Sequence, residues 1–172
     1  MDIQQKCQSI QLILSDVDGI LTDGGVEFNN HGIETKRFNI RDGLGIKLWQ
    51  KAGYHFGLIT SRTSQIVKIR ATELGIDLVR QGVAQKLSTL NDIARLMELD
   101  YEQICYIGDD FPDLPCIRAV GLGVTVPEAS DEILAVADYV TKQPGGRGAV
   151  RDLVETLLKA QRRWDGVIQQ FL

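Results

Sequence analysis

Ser15-Asp16-Val17-Asp18-Gly19 is the stretch that decides the fold, because it follows directly on the short apolar run at residues 10–14. A short apolar run of this kind is typical of a strand buried in a parallel sheet. In an open α/β sheet, the residues just past the carboxyl ends of the strands line the ligand crevice. Two carboxylates at such a place repel each other, and a hard divalent cation such as Mg²⁺ would compensate for that repulsion.

Residues of these types also occur in two other kinds of local structure. Asp and Gly are common turn residues, so the segment could be a solvated loop without a ligand. A calcium-binding loop would use Asp16, Asp18 and Glu27 as its first, third and last ligands. That arrangement fails, because Leu21 stands where such a loop needs glycine and Ile20 where it needs its fifth-position ligand.

Outward from this stretch, short apolar runs alternate with longer amphipathic segments. The apolar runs cover residues 10–14, 54–59, 76–79, 104–107, 120–126 and 138–140. Apolar residues recur at helical spacing within residues 66–74, 87–97 and 150–158. The alternation is typical of βαβ units, so the sequence predicts a doubly wound, Rossmann-like α/β fold with a mostly parallel sheet. We expect one domain over residues 1–172, ending in a helix and tail at about 147–172.

Residues 24–40 break this rhythm and predict a β-hairpin inserted after the first strand. Its strands are expected at residues 26–28 and 36–38, joined by a loop at 29–32 whose Asn and Gly residues tolerate positive φ. An isolated hairpin is only marginally stable, so its apolar residues need a covering surface. A partner subunit or the helices of the same subunit could provide it. The residues concerned are Val26, Phe28, Phe38 and Ile40.

A second acidic cluster, Gly108-Asp109-Asp110-Phe111-Pro112-Asp113, follows the apolar run at residues 104–107. One Asp here would suffice as the cap of a helix before Pro115, whereas three carboxylates indicate a further role. Because the carboxyl ends of parallel strands meet at one edge of a sheet, we expect this cluster to face Asp16 and Asp18.

Two more residues are expected at the same edge. Thr60 follows the run at residues 54–59, and Lys86 opens the helical segment after the run at 76–79. Taken singly, Thr60 could be a plain helix cap and Lys86 a solvated surface lysine. The ordered set of four motifs at one sheet edge favours a site instead.

Composition excludes several classes of protein. Nineteen Lys and Arg against twenty-three Asp and Glu leave a net charge of −4, which argues against a nucleic-acid or membrane-surface binder. Three cysteines without a C-x-x-C pair exclude a disulfide framework and favour the reducing cytoplasm. The polar N-terminus does not match a secretory signal, and no apolar run reaches the about 20 residues of a membrane helix.

The four motifs, Asp-x-Asp-Gly, Thr, Lys and Gly-Asp-Asp-x-x-x-Asp, resemble those of the haloacid dehalogenase-like phosphohydrolases, over about residues 10–125. The resemblance implies that Asp16 is the nucleophile and Asp18 the general acid and base. It implies that Thr60 and Lys86 stabilise the phosphoryl oxygens. It further implies Mg²⁺ as cofactor, held by Asp16, the main-chain carbonyl of Asp18, Asp109 and Asp113.

Most members of that superfamily carry a cap domain, for which this chain has no room. Only about forty residues separate Asp18 from Thr60, and the hairpin takes up much of that length. The capless pattern and several glycine-containing motifs resemble the 3-deoxy-D-manno-octulosonate 8-phosphate (KDO 8-phosphate) phosphatases. These motifs are Gly24-Gly25, Arg41-Asp42-Gly43-Leu44-Gly45-Ile46, Gln81-Gly82-Val83, Gly108-Asp109-Asp110 and Gly145-Gly146-Arg147-Gly148-Ala149-Val150-Arg151. That family forms tetramers in which a neighbouring subunit covers the active site, so we expect a homotetramer.

The resemblance also bears on the substrate. Relatives that act on a nine-carbon keto-deoxy sugar acid 9-phosphate carry Glu where this chain has Arg62, whose guanidinium can pair with a sugar-acid carboxylate. Arg62 therefore favours the eight-carbon substrate, and the nine-carbon substrate is the alternative. Substrate contacts are also expected from Thr60, Lys86, Ser61, Gly43 and Arg147. Ser61 departs from the Gly that is usual in the family.

Two functions of another class are alternatives. A phosphoacceptor receiver domain also combines carboxylates, Thr and Lys on a doubly wound sheet, but its phosphorylated Asp follows the third strand. Here the third strand is followed by Arg80-Gln81, with no Asp to phosphorylate. A catalytically silent binding module of the same fold would not need a repulsive acidic cluster.

Overall fold

The computed structural model describes residues 2–171, which contain eight strands and eight α-helices. The strands are β1 (Leu12–Ser15), β2 (Glu27–Phe28), β3 (Glu34–Thr35), β4 (His55–Ile59), β5 (Leu78–Arg80), β6 (Ile104–Ile107), β7 (Leu122–Thr125) and β8 (Tyr139–Val140). The helices are α1 (Ile3–Ser9), α2 (Ile40–Lys51), α3 (Gln65–Leu74), α4 (Lys86–Leu96), α5 (Leu114–Ala119), α6 (Asp131–Leu134), α7 (Ala149–Ala160) and α8 (Trp164–Ile168).

Six strands form one parallel sheet in the order β5-β4-β1-β6-β7-β8. The chain runs outward from β1 to β5 and then crosses back to β6, β7 and β8. With right-handed crossovers, this reversal places helices on both faces of the sheet. The prediction of a doubly wound, parallel α/β fold is confirmed. Strands β1 and β6 lie side by side with Ser15 opposite Ile107, so the segments that follow them start together.

Helices α2 and α7 pack against each other and share a buried carboxylate. Asp42, in the first turn of α2, accepts the main-chain N–H groups of Gly148 at 3.1 Å and Arg151 at 2.9 Å. Gly148 is the N-cap residue of α7 and has no side chain to cap the helix itself. Asp42 therefore supplies the cap from another helix, and the apolar face of α7 is buried below it.

The hairpin is present, but its second strand lies earlier than predicted. Residues 36–38 are not a strand, because β3 ends at Thr35. The reason is a tight turn closed by Asn29, whose side chain accepts the N–H groups of His31 and Ile33. This turn pairs Phe28 with Glu34 immediately after it, and residues 36–39 then lead into α2.

No cap domain is present between residues 2 and 171, in agreement with the sequence prediction. Of the predicted tail at 147–172, Leu172 lies outside the described residues. Over residues 2–171, no helix has both the length and the apolar character that a bilayer crossing requires.

Candidate active site

Three carboxylates from separate parts of the sequence meet at the carboxyl edge of the sheet. Asp16 follows β1, Asp109 follows β6, and Asp113 ends the 3₁₀ turn Phe111–Asp113. One oxygen from each lies within 4.8 Å of the others. The main-chain N–H of Asp16 donates to the carbonyl of Ile107 at 3.0 Å, which fixes the segment after β1 against the end of β6. The sequence prediction that these acidic residues converge agrees with this geometry.

Lys86, the first residue of α4, reaches into the same cluster and is 3% exposed. Its Nζ lies 2.9 Å from Asp16 Oδ2 and 2.6 Å from Asp113 Oδ1. The phenol of Tyr106, from the buried interior of β6, donates to the same Asp113 oxygen at 2.6 Å. Tyr106 has no signal of its own in the sequence, because it lies within an uninterrupted apolar run.

The cluster carries more negative charge than Lys86 balances. Burial, together with the neighbouring charge of Asp113, raises the pKa of Asp16 to about 7, although the Lys86 ammonium opposes this shift. Burial and the charges of Asp16 and Asp113 likewise raise the pKa of Asp109 to about 7. Asp109 Oδ1 is buried and has no hydrogen-bond partner among the described residues. An oxygen-rich, anionic cluster with an unpartnered carboxylate oxygen fits a hard divalent cation.

Gly19 makes room for this cluster. Its φ is +93°, and a Cβ at this position would lie 2.0 Å from Asp109 Oδ2. Only glycine combines that backbone conformation with the space that the Asp109 carboxylate occupies. The glycine of the Asp-x-Asp-Gly motif is therefore a steric requirement of the site.

A cleft of about 380 Å³ opens above the cluster. Its lining includes all the predicted site residues except Gly43 and Arg147, namely Asp16, Asp18, Thr60, Ser61, Arg62, Lys86, Asp109 and Asp113. Larger cavities lie elsewhere on the surface, but they lack this combination of carboxylates and a buried lysine.

Gly43 and Arg147 lie outside the cleft of the single chain. Gly43 is buried on α2, where a Cβ would come within 2.4 Å of the Arg70 guanidinium. Arg147 is exposed, and its charge helps to lower the pKa of Asp23, whose main partner is Arg37. Their contacts with a substrate stay predictions.

The glycine-rich segment at residues 145–148 packs against the loop that follows β1. The N–H of Gly146 donates to the carbonyl of Ile20 at 2.8 Å, and the N–H of Gly145 donates to Glu128 Oε1 at 2.8 Å. A Cβ on Gly145 would lie 1.8 Å from the carbonyl oxygen of Gly19. The segment thus braces the backbone next to Asp16 and Asp18.

The hairpin also reaches the cleft, through residues that the sequence analysis did not select. Lys36 forms an ion pair with Asp18, and Glu34 forms one with Arg62 at 2.6 Å. Their signal in the sequence is weak, because charged residues on a hairpin are common and the pattern does not show which of them turn toward the site.

Comparison with known proteins first identifies the class of protein to which the chain belongs. A family model of haloacid dehalogenase-like hydrolases matches residues 60–151, which contain Thr60, Lys86, Asp109 and Asp113. The chain belongs to the haloacid dehalogenase-like hydrolases. Within that class it belongs to the family of the 3-deoxy-D-manno-octulosonate 8-phosphate phosphatases, as its closely similar relatives show. The protein of this name (KdsC) from Escherichia coli K12 is 40% identical over 164 residues, covering 95% of this chain and 87% of the relative. The KdsC of Yersinia pestis is 39% identical over 165 residues, covering 96% and 88%.

Solved structures agree with this assignment. The 3-deoxy-D-manno-octulosonate 8-phosphate phosphatase of Moraxella catarrhalis, solved in complex with magnesium, phosphate and KDO, superposes with a TM-score of 0.97 at 42% identity. The match covers 99% of this chain and 98% of that one. The cobalt-bound phosphatase of Haemophilus influenzae gives a TM-score of 0.89 at 36% identity, with 92% of each chain covered.

Proposed function

We propose that this protein is a Mg²⁺-dependent phosphomonoesterase that hydrolyses 3-deoxy-D-manno-octulosonate 8-phosphate to 3-deoxy-D-manno-octulosonate and phosphate. The observation that carries the proposal is that Asp16, Asp109 and Asp113 meet in one cleft, where Lys86 contacts Asp16 and Asp113. The names of the relatives and the magnesium, phosphate and KDO in the Moraxella catarrhalis structure support the choice of metal and substrate.

The metal would be held by the carboxylates of Asp16, Asp109 and Asp113 and by the main-chain carbonyl of Asp18. When bound, Mg²⁺ supplies positive charge that offsets both the carboxylates and the phosphoryl oxygens. Asp109 Oδ1, which lacks a hydrogen-bond partner among the described residues, is the ligand atom that this structure singles out most clearly.

In the first half of the reaction, a carboxylate oxygen of Asp16 attacks phosphorus and forms an aspartyl-phosphate. The bond between phosphorus and the sugar oxygen breaks, and Asp18 gives that oxygen a proton. Lys86 lies 2.9 Å from Asp16 and therefore faces the phosphoryl group that Asp16 receives. With Thr60, it stabilises the charge on the equatorial oxygens.

In the second half, Asp18 takes a proton from a water molecule as that water attacks phosphorus. The bond between phosphorus and the Asp16 oxygen breaks, phosphate leaves, and both carboxylates return to their starting states. One water is consumed for each ester bond that is cleaved.

Arg62 supports an eight-carbon sugar acid as the substrate. It lines the cleft and has a side chain that is 45% exposed, so its guanidinium is accessible to a ligand. Such a group can pair with the sugar-acid carboxylate through two parallel hydrogen bonds. The nine-carbon 9-phosphate is the alternative substrate. Membership of a hydrolase family leaves the receiver domain without support. The intact acidic cluster with Lys86 argues against a silent binding module.

We also propose a homotetramer in which a neighbouring subunit covers the cleft and brings in the exposed Arg147. Exposed apolar side chains on and beside the hairpin support this assembly: Val26, Phe28, Ile33, Ile40 and Leu44. Phe38 instead packs against the core of its own chain, as the alternative from the sequence anticipated. Sedimentation velocity tests the assembly: we expect a tetramer that Phe28→Asp dissociates, and a monomeric wild-type protein would refute it.

We propose that residues 1–172 act as a single domain in the cytoplasm, with a small-molecule sugar phosphate and no nucleic acid or membrane as partner. Three buried free cysteines are consistent with a reducing compartment. The net charge of −4 gives no cationic surface excess for nucleic acid.

Phosphate release from a panel of sugar phosphates tests the function. The eight-carbon 8-phosphate and the nine-carbon 9-phosphate should be measured side by side with Mg²⁺ and with a chelator. We expect the highest kcat/KM for the eight-carbon ester and no turnover with the chelator. Preference for the nine-carbon ester would support the alternative substrate, and no turnover of any ester would refute a phosphatase.

A further inference from the structure

Four charged side chains form a closed ring at the mouth of the cleft, outside the cluster of Asp16, Asp109 and Asp113. Going round the ring, Asp18 contacts Lys36, Lys36 lies 3.4 Å from Glu34, and Glu34 lies 2.6 Å from Arg62. The ring closes through Arg62 Nε, 3.8 Å from Asp18 Oδ2. We call this set the charged ring. It joins the loop after β1, the hairpin and the segment after β4.

Lys36 is the most deeply buried member of the charged ring. Its side chain is 1% exposed, compared with 19% for Asp18 and 17% for Glu34. Fixing a lysine side chain in one conformation costs rotamer entropy, so surface ion pairs of lysine are commonly loose. A lysine buried against two carboxylates has a defined position.

The two oxygens of Asp18 have different partners. Lys36 contacts Oδ1, whereas the Oδ2 contact with Arg62 is long at 3.8 Å. Lys86 contacts Asp16 and Asp113, so it does not hold the Asp18 carboxylate. The ion pairs that hold the Asp18 carboxylate therefore come from the charged ring, and Oδ2 is the less tightly held oxygen.

We propose that Lys36, from the hairpin of the same chain, is a positioning residue that holds Asp18 Oδ1 so that Oδ2 faces the leaving oxygen of the substrate. The inference rests on the proposed function, since it assumes that Asp18 protonates that oxygen. Glu34 braces the arrangement, because it contacts Lys36 and Arg62 together and so keeps two cations side by side.

The test compares two phosphate esters that differ in how strongly their cleavage depends on the general acid Asp18. A sugar phosphate releases a strongly basic alkoxide unless it is protonated, whereas p-nitrophenyl phosphate releases a phenolate that departs without a proton. The constant kcat/KM covers the steps up to release of the leaving group. For Lys36→Met, we expect kcat/KM for the sugar phosphate to fall by about 10²-fold and that for p-nitrophenyl phosphate by no more than about 3-fold, since positioned general acids contribute about 10²–10⁴-fold.

Two further variants separate positioning from simple anchoring of the hairpin. Lys36→Arg restores a cation and should recover most of the sugar-phosphate activity. Arg37→Met is the matched control, because Arg37 is the next residue, is exposed, and also ties the hairpin to the loop after β1 through Asp23 at 2.9 Å. We expect Arg37→Met to leave both kcat/KM values within about 2-fold of the wild type, as loss of an exposed ion pair does.

Magnesium titration of the Lys36→Met protein by calorimetry gives a readout that does not depend on turnover. The Mg²⁺ affinity should stay unchanged, because Lys36 contacts none of the three clustered carboxylates. Equal losses for both esters, an unchanged sugar-phosphate activity, or a weakened Mg²⁺ affinity would each overturn the positioning role. A wild-type protein that hydrolyses neither ester would instead refute the proposed phosphatase function.

Discussion

The phenol of Tyr106 donates a hydrogen bond to Asp113 Oδ1 at 2.6 Å, from a position fully buried in the central part of the sheet. The same oxygen accepts from Lys86 Nζ at 2.6 Å. Burial raises the pKa of the Tyr106 hydroxyl well above its ordinary value, so it remains a donor. The core of the sheet and the acidic cluster are thus joined by one hydroxyl group.

Replacing Tyr106 with Phe removes that hydroxyl and keeps the ring. We expect the free energy of unfolding to fall by about 1–2 kcal/mol, because a hydrogen bond to a carboxylate is lost while Lys86 still pairs with it. Urea unfolding in the presence of a chelator measures the change. Calorimetry should also show weaker Mg²⁺ binding, since Asp113 is less firmly held. Unchanged stability and affinity would show that the hydroxyl contributes nothing.

Asp16→Asn tests the nucleophile with a nearly isosteric side chain. We expect turnover to fall by more than about 10⁴-fold, as when other enzymes lose their nucleophile. The thermal unfolding midpoint should stay close to that of the wild type, because the fold keeps its packing and loses one repulsive charge. Activity like that of the wild type would remove Asp16 from this role.

The stability of the metal-free protein should depend on pH in a direction that the clustered carboxylates set. In the folded chain, the pKa values of Asp16 and Asp109 are raised from 3.8 to about 7, mainly by burial. Between these values the folded state binds more protons than the unfolded state, so the free energy of unfolding falls as pH rises toward 7. Their favourable contribution is fully present below about pH 4 and is lost as pH rises through about 7.

Mg²⁺ should reverse this loss, because it binds the ionised carboxylates of the folded state. The rise in the unfolding midpoint on adding Mg²⁺ should therefore be larger at pH 7.5 than at pH 5.5, as scanning calorimetry can measure. The Asp109→Asn variant is the control and should show a smaller difference between the two pH values. A rise that is larger at the lower pH would contradict the assignment.

Gly145→Ala tests the contact between the glycine-rich segment and the loop after β1. A Cβ at residue 145 would lie 1.8 Å from the carbonyl oxygen of Gly19, so the backbone beside Asp18 must move. We expect kcat to fall by at least about 10²-fold, because small displacements of catalytic groups have effects of this size. The matched control is Gly166→Ala, since a Cβ at Gly166 meets nothing within 4 Å. Equal activity of the two variants would show that the contact is unimportant.

The strands and the acidic residues at the carboxyl edge of the sheet could be predicted, because both have local signals in the sequence. Short apolar runs mark β1, β4, β6 and β7. Asp16 comes directly after β1, and Asp109 comes two residues after the end of β6. The topology of a parallel sheet then brings the ends of those strands together. The convergence of the site therefore follows from sequence order and sheet geometry, without knowledge of side-chain packing.

Other features had no local signal. Helix α2 was not predicted, because Gly43 and Gly45 weaken its helical pattern, and both are buried where other side chains approach closely. The charged ring was missed for a similar reason. Lys36 and Glu34 acquire their role only when the turn at Asn29 sets the register of the hairpin. Such contacts depend on the tertiary structure.

The contacts of Asp42 affect how the chain folds while it is being synthesised. The N–H groups that its buried carboxylate accepts belong to Gly148 and Arg151, which are 106 and 109 positions later in the sequence. During synthesis, α2 leaves the ribosome long before α7 exists, and until then its inner face and this carboxylate lack their partners. Contacts of such long separation form late, so the nascent chain should stay sensitive to proteases and open to chaperones until residues 148–151 have emerged.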